Sequence, residues 1–258
     1  MIIADEKTTL PFLASPYCLT IGSFDGVHRG HKKLIERMRA LCSGTIAVFT
    51  FRNHPNELFN QGSAVPLIYP LSQKLRLLEK AGVDLVFLND FTASVANLPY
   101  QDFITALRER FAFSHLVLGA GSTFGKGRLG TETKIMDLAK TTGFQVEYIP
   151  KLYVDGKEVS SRQIRSLIEH GEIKKTSLFL GRPYSLLLPF PSQPNRNGYI
   201  LPVPGLCLLP SNKYPSLLLL EGKQIETFIE VRKEEQQLVV SLNDPSLSGK
   251  EIEIVFKM

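Results

Sequence analysis

Nothing in the 258-residue sequence is apolar for long enough to cross a bilayer. The longest purely aliphatic runs, such as Leu217 to Leu220, fall far short of the roughly 20 residues that a membrane-spanning helix needs. Membrane-spanning classes are therefore set aside. Met1 to Thr9 carries Asp5, Glu6 and Lys7 where a secretory leader would need an unbroken apolar core, so a cytoplasmic location is expected. Cysteine is equally scarce. Cys18, Cys42 and Cys207 are odd in number and far apart, which excludes a disulfide framework and any C-x-x-C metal pair. No internal repeat occurs, and the only biased stretch is the Pro/Ser/Asn segment Pro189 to Gly198, read as a loop. Both G-x-x-x-x-G-K-[ST] and G-x-G-x-x-G are missing, so neither a Walker loop nor a dinucleotide fingerprint is available.

What is present describes a folded protein with one large or two modest cores: 43% hydrophobic, 21% charged, 19 Gly and 16 Pro. Thirty Lys plus Arg against 25 Asp plus Glu give +5, a mildly basic balance that suits a phosphate-bearing partner. The prolines are unevenly spread, with eight of them between Pro183 and Pro215. Before that region, short β-branched or aliphatic runs alternate with helical periodicity. Cys18–Ile21, Ile46–Phe51, Leu85–Leu88, Leu116–Leu118 and Val146–Ile149 read as strands. Leu34, Ile35, Met38 and Leu41 keep helical spacing, as do Leu75, Leu78 and Ala81 before Gly82, and Phe103, Ile104, Leu107 and Phe111. The pattern predicts an α/β doubly wound domain with a parallel sheet, whose ligands bind beyond the carboxyl ends of the strands. After about Gly181 the helical periodicity stops, and Ser216–Leu220, Leu238–Leu242 and Ile252–Phe256 predict strands of a small antiparallel sheet or barrel. Two domains, 1–182 and 183–258, are expected.

Three segments could carry chemistry. The first, Ile21 to His31, follows a strand and opens a helix: a turn rich in small residues whose backbone N–H groups and partial positive charge suit an anion. His28 and His31 are three residues apart at that terminus and can both offer N–H groups to phosphate oxygens, while Gly30 removes a side chain between them. Two partly exposed polar histidines are the plainer reading, as is, more remotely, a zinc site from His28, His31 and His54. The second segment, Val159 to Arg165, predicts a helix capped by Ser160 or Ser161, carrying Arg165 as a fixed charge and stopping near Gly171. The third, Gly119 to Gly130, is glycine-dense and basic; it is either a flexible loop or a phosphate cradle in which Lys126 or Arg128 takes part. Three anion-friendly loops after three strands point to one nucleotide-sized pocket.

These residues resemble a bacterial bifunctional riboflavin kinase/FAD synthetase. The likeness runs from about Tyr17 to Tyr184: G-x-F-D-G-V-H-x-G-H at Gly22–His31, T-F-x-x-H-P at Thr50–Pro55, F-G-K-G-R at Phe124–Arg128, S-S-x-x-I-R at Ser160–Arg165 and L-G-R-P-Y at Leu180–Tyr184. The resemblance implies a Rossmann-like nucleotidyltransferase domain followed by a β-barrel-like one. It also implies transfer of AMP from ATP to the phosphate of FMN, giving FAD and pyrophosphate, with Mg²⁺ and no protein nucleophile. By this similarity His28, His31 and Arg165 would be catalytic, and Gly22, Phe24, Asp25, Gly26, Gly30, Ser160 and Ser161 would bind ATP. His54, Pro55, Phe124, Lys126 and Arg128 would lie near FMN; residues for the metal are not assigned. Nucleic-acid and membrane partners are not implied.

The sequence departs from the family pattern at Gly121 and Ser122, where an acidic or amide residue and Phe are expected, and at Arg162, where S-S-T is usual. A G-F-P-T-A-N segment should follow G-R-P-Y-S, yet Ser185 leads into Pro189–Gly198 without it, and the position of the kinase's catalytic Glu falls near Gln237 or Glu235. A shortened kinase-like module with weak or absent riboflavin kinase activity is therefore expected. A fully bifunctional enzyme that also uses riboflavin, and a non-catalytic nucleotide- or flavin-binding regulatory protein, are the alternatives.

Overall fold

The computed structural model describes residues 1–8, 17–53, 65–195 and 198–257. His54 and Pro55 lie outside them. The chain groups into two compact units, one of Met1–Phe24, Gly30–Ala64 and Leu75–Tyr153, the other of Asp25–Arg29, Val65–Lys74 and Val154–Met258.

The first unit is built on six parallel strands: β1 (Ile2–Ala4), β2 (Tyr17–Ile21), β3 (Thr45–Phe51), β4 (Leu85–Asn89), β5 (Phe113–Gly119) and β6 (Gln145–Ile149), in the order β1-β4-β3-β2-β5-β6. Every residue of β3 and β4 is buried, as expected for central strands covered on both faces. The helices are α1 (Arg29–Leu41), α2 (Leu71–Lys80), α3 (Ala93–Asn97), α4 (Tyr100–Phe111) and α5 (Glu132–Thr142). α2 begins in the stretch assigned to the other unit. Of the residues that the periodicity selected, α1 buries Leu34, Ile35 and Met38 and leaves Leu41 half-buried, and α4 buries Phe103, Ile104, Leu107 and Phe111. In the core Phe49 stacks on Phe87 at 5.6 Å and meets Phe103 edge-on at 5.6 Å.

From β2 the chain steps to β3 and β4 on one side, then returns to place β5 and β6 on the other. The strand order thus reverses between β2 and β5. In open α/β sheets that reversal opens a crevice beyond the carboxyl ends. The doubly wound fold is as the periodicity predicts. β1 is not foreseen, because three residues carry too little pattern.

The second unit holds α6 (Ser161–Glu169), α7 (Ile173–Leu180) and a curled antiparallel sheet of β9 (Ser185–Pro189), β10 (Tyr199–Pro202), β11 (Asn212–Leu220), β12 (Lys223–Arg232), β13 (Gln237–Val240) and β14 (Glu251–Phe256). A two-residue hairpin, β7 (Tyr153–Val154) with β8 (Lys157–Glu158), precedes α6. The three expected strands are there, although β13 stops at Val240 rather than Leu242. Pro189 and Pro202 end β9 and β10, where a missing N–H costs no ladder bond, while Pro215 lies within β11 opposite Phe228. Among the described residues no helix is long and apolar enough to cross a membrane.

Candidate active site

A cleft of about 870 Å³ opens at the carboxyl ends of the parallel strands. Its lining comes from the loop after β2 (Gly22, Ser23), the ends of β2 and β3 (Ile21, Phe51), Phe91 after β4, α3 with Phe103 of α4, and Gly121 to Arg128 after β5. Part of the lining is aromatic: Phe51 meets Phe91 edge-on at 5.0 Å, and Phe103 lies 6.3 Å from Phe124 at 21°. It also includes Lys126 and Arg128, both exposed. A planar aromatic body with an anionic tail matches this distribution of surfaces.

The glycine-rich loop is not slack. Phe124 and Gly130 exchange backbone hydrogen bonds at 2.9 and 3.1 Å, and the Lys126 N–H donates to the Leu98 carbonyl at 2.8 Å. Gly125 is forced by contact: a Cβ there would lie 2.4 Å from the Tyr100 nitrogen, at φ +71°. Its neighbour Gly130 would meet the Tyr100 Cβ at 2.6 Å. The loop is therefore clamped on the start of α4, and Arg128, itself at φ +58°, donates from Nε to the Thr123 hydroxyl at 2.9 Å.

The Gly22–His31 segment is shared between the units. Within the first, the Gly22 N–H donates to the Phe49 carbonyl and the Thr50 hydroxyl to the Ser23 carbonyl. The buried Phe24 ring lies 4.7 Å from the His31 ring. Within the second, Asp25 is buried and accepts from the Ile68 N–H at 3.0 Å and from an Arg165 guanidinium nitrogen at 2.7 Å. The Ser161 hydroxyl donates to the Asp25 carbonyl at 2.8 Å, while Ser160 caps α6 by accepting from the Gln163 N–H. Arg182 donates to the carbonyls of Gly26, Val27 and Leu180. Phe24 at φ +50° and the β-branched Val27 at φ +37° hold a conformation costing roughly 1–3 kcal/mol each, which persists only where surroundings over-determine it.

The electrostatics differ from what the residue types alone suggest. Burial, with the neighbouring Arg182 cation, pushes the His28 imidazole down to about 3, so it is neutral at physiological pH. Arg165, expected as a fixed charge, is paired with Asp25, whose side chain is 4% exposed. Burial raises the Asp25 carboxyl, opposed by Arg165, the Ile68 N–H and Lys74. Lys74 is itself pushed down to about 8 by burial.

Of the residues singled out by sequence, Gly22, Phe124, Lys126 and Arg128 line one cleft, and Asp25, Ser161 and Arg165 meet in one cluster. Gly26 and His28 lie in the turn, and Gly30 and His31 open α1. Sequence reasoning missed Phe91, Phe103 and α3 as lining, although the rule that loops follow strands to the site covers Phe91. Arg182 was visible only as a letter in L-G-R-P-Y. Among the described residues no group of three His, Cys, Asp or Glu could hold a metal; the zinc alternative also needs His54, which lies outside them.

A sequence profile described as FAD synthetase matches residues 13–163. The chain belongs to the FAD synthetase family. It is 31% identical over 171 residues to the bifunctional riboflavin kinase/FMN adenylyltransferase of Bacillus subtilis, covering 64% of this chain and 54% of that protein. It is 28% identical over 192 residues to a FAD synthetase of Listeria monocytogenes, covering 72% and 78%. The matched part thus spans about half the length of the bifunctional relatives. A Streptococcus pneumoniae crystal structure titled macrolide-efflux protein superposes with a TM-score of 0.83 over 99% of this chain and 90% of that one, at 18% identity. That likeness is one of fold.

Proposed function

We propose that this FAD synthetase family member is an FMN adenylyltransferase. An FMN phosphate oxygen attacks the α-phosphorus of ATP, the bond from that phosphorus to the bridging oxygen breaks, and FAD and pyrophosphate leave. The observation that carries the reading is the cleft at the strand-order reversal, lined by Phe51, Phe91, Phe103 and Phe124 and by Lys126 and Arg128. Such a surface suits a flavin ring and its phosphate. No protein nucleophile is needed, since phosphoryl-type transfer rests on positioning and on charge stabilisation at oxygens. Lys126 and Arg128 hold the acceptor phosphate, and the aromatic wall excludes water from the flavin. His28, kept neutral, donates a hydrogen bond without changing its proton count. His31, with Phe24 against its ring, completes the turn assigned to the triphosphate.

Mg²⁺ fits poorly as a protein-held ion. The Asp25 carboxylate is engaged by Arg165 and Ile68, and no acidic cage exists among the described residues. It would arrive on the nucleotide phosphates, as Mg²⁺ commonly does. Incubating the protein with ATP, Mg²⁺ and FMN and separating products by chromatography tests the proposal: FAD and pyrophosphate in equal amounts are expected, and no FAD despite nucleotide binding would refute it. The missing P-T-A-N segment after Ser185 supports a further expectation, that riboflavin in place of FMN yields no FMN.

A further inference from the structure

Asn97 lines the cleft, and the adenylyl transfer proposed above gives it no role. It is the last residue of α3, one position before the Leu98 carbonyl that accepts from the Lys126 N–H, so it stands where α3 is tied to the basic loop. The start of α3 is fixed by Thr92, whose hydroxyl accepts from the Val95 N–H at 3.4 Å. At its end the Asn97 Nδ2 donates to the Ala93 carbonyl at 2.8 Å, one turn back. A carbonyl can only accept, so this bond assigns the two ends of the amide: Nδ2 is turned to the helix, and Oδ1 is the atom left over. Among the described residues nothing donates to that oxygen, and the side chain is exposed.

The other side chains of the cleft cannot do what this oxygen does. Among the described residues that line it, Lys126 and Arg128 only donate, and the hydroxyls of Ser23, Ser122 and Thr123 can donate or accept, with Thr123 already accepting from Arg128. None carries a carboxylate. The Asn97 Oδ1 is thus the one side-chain atom there that accepts and never donates. An oxidised flavin ring has the opposite balance: both its carbonyl oxygens, N1 and N5 accept, and the N3–H between the carbonyls is its only donor. Cationic side chains can serve the acceptors and the phosphate, but not that N–H. We propose that Asn97 is a specificity-determining residue for the flavin substrate, its Oδ1 accepting from the N3–H of the ring. Because Nδ2 is held by the Ala93 carbonyl, the oxygen is oriented before the flavin arrives and little rotamer freedom is lost on binding. An analogue without the N–H leaves the oxygen unpaired, and that penalty is the source of the selectivity.

The inference rests on the adenylyltransferase reading, and two measurements on the full chain keep the two apart. Flavin fluorescence reads the Kd of FMN and of N3-methyl FMN, the same molecule without the donor, and FAD formation reads the reaction. For the wild type we expect N3-methyl FMN to bind about 10-fold more weakly than FMN, the size of one net hydrogen bond. Asn97→Ala should weaken FMN about 10-fold and leave N3-methyl FMN within about 2-fold of its wild-type value, so that the preference disappears, with the ATP KM unchanged. A role confined to the end of α3 would weaken both flavins alike and keep their ratio. Alanine favours the helix, and should Asn97→Ala still not fold, Asn97→Leu gives the same comparison. Equal wild-type affinity for the two flavins, or a preference for FMN that survives in either folded variant, overturns the proposal. A wild type that discriminates through Asn97 and makes no FAD overturns the adenylyltransferase reading and leaves the role of Asn97 standing. FAD formation with equal use of both flavins does the reverse, and a wild type that binds neither overturns both.

Discussion

Replacing Asp25 by asparagine should unfold the protein at a markedly lower temperature, and the structure sets the size of the effect. The carboxylate is 4% exposed and its Arg165 partner 12%, with 2.7 Å between oxygen and nitrogen. At an effective dielectric of 20 the attraction over that distance is about 6 kcal/mol, much of it offset by the cost of burying both charges. Removing one partner leaves the other charge buried without compensation, which costs about 3–5 kcal/mol. Asparagine still accepts from the Ile68 N–H through its carbonyl oxygen, which places Asp25→Asn near the lower end, about 3 kcal/mol. For a chain of this size that corresponds to a fall in Tm of roughly 6–12 °C. Differential scanning calorimetry reads it directly. Adding Arg165→Met removes the orphaned guanidinium and should recover about half of the loss, the coupling expected of groups in contact. Single variants at both positions melting within about 2 °C of the wild type would show that the pair does not hold the turn and that Arg165 is free for other work.

Four further outcomes follow from the site. His28 is depressed to about 3 when folded, against about 6.5 unfolded, so the unfolded state binds more protons between those values and stability must fall as pH drops through that window. From pH 6.5 to pH 5 the loss should approach roughly 2 kcal/mol in urea titrations, and His28→Gln should flatten that slope. Gly125→Ala drives a Cβ into the Tyr100 backbone and should destabilise by about 2 kcal/mol or more while weakening FMN binding, read by flavin fluorescence. Gly127→Ala, with 3.7 Å to the nearest neighbour, should cost about 1 kcal/mol from its φ alone. Arg128→Ala should raise the FMN KM about 10-fold and leave the ATP KM unchanged, since Arg128 lines the cleft proposed for FMN; an equal rise in both would contradict that placement.

Local pattern was enough for the parallel sheet. β-branched runs such as Ile46–Phe51 and helical spacings such as Phe103–Phe111 are period signals that survive in a linear sequence, because burial on a face repeats with the backbone's own geometry. The same holds for the turn into α1 and the cap of α6, whose residues act on neighbours three or four positions away. Ser160 caps as its position predicts. Some strands escaped: β1 has three residues, β10 stands among prolines where alternation has no room to show, and the ten-residue β12 was missed although Ile225, Thr227, Ile229 and Val231 alternate.

What the sequence alone determined, then, is that anion-binding turns follow the strands of an α/β sheet, and which family those turns resemble. Tertiary structure decided the charge states and duties of the residues in them. In the sequence His28 is an N–H donor and Arg165 a fixed charge, both placed for a phosphate; folded, the first is kept neutral through burial beside Arg182, and the second is matched by Asp25, 140 positions away in the chain. Arg182 reaches the Gly26 carbonyl across 156 positions. Desolvation and pairing depend on neighbours that only the closed fold supplies, so no spacing in the sequence could have assigned them.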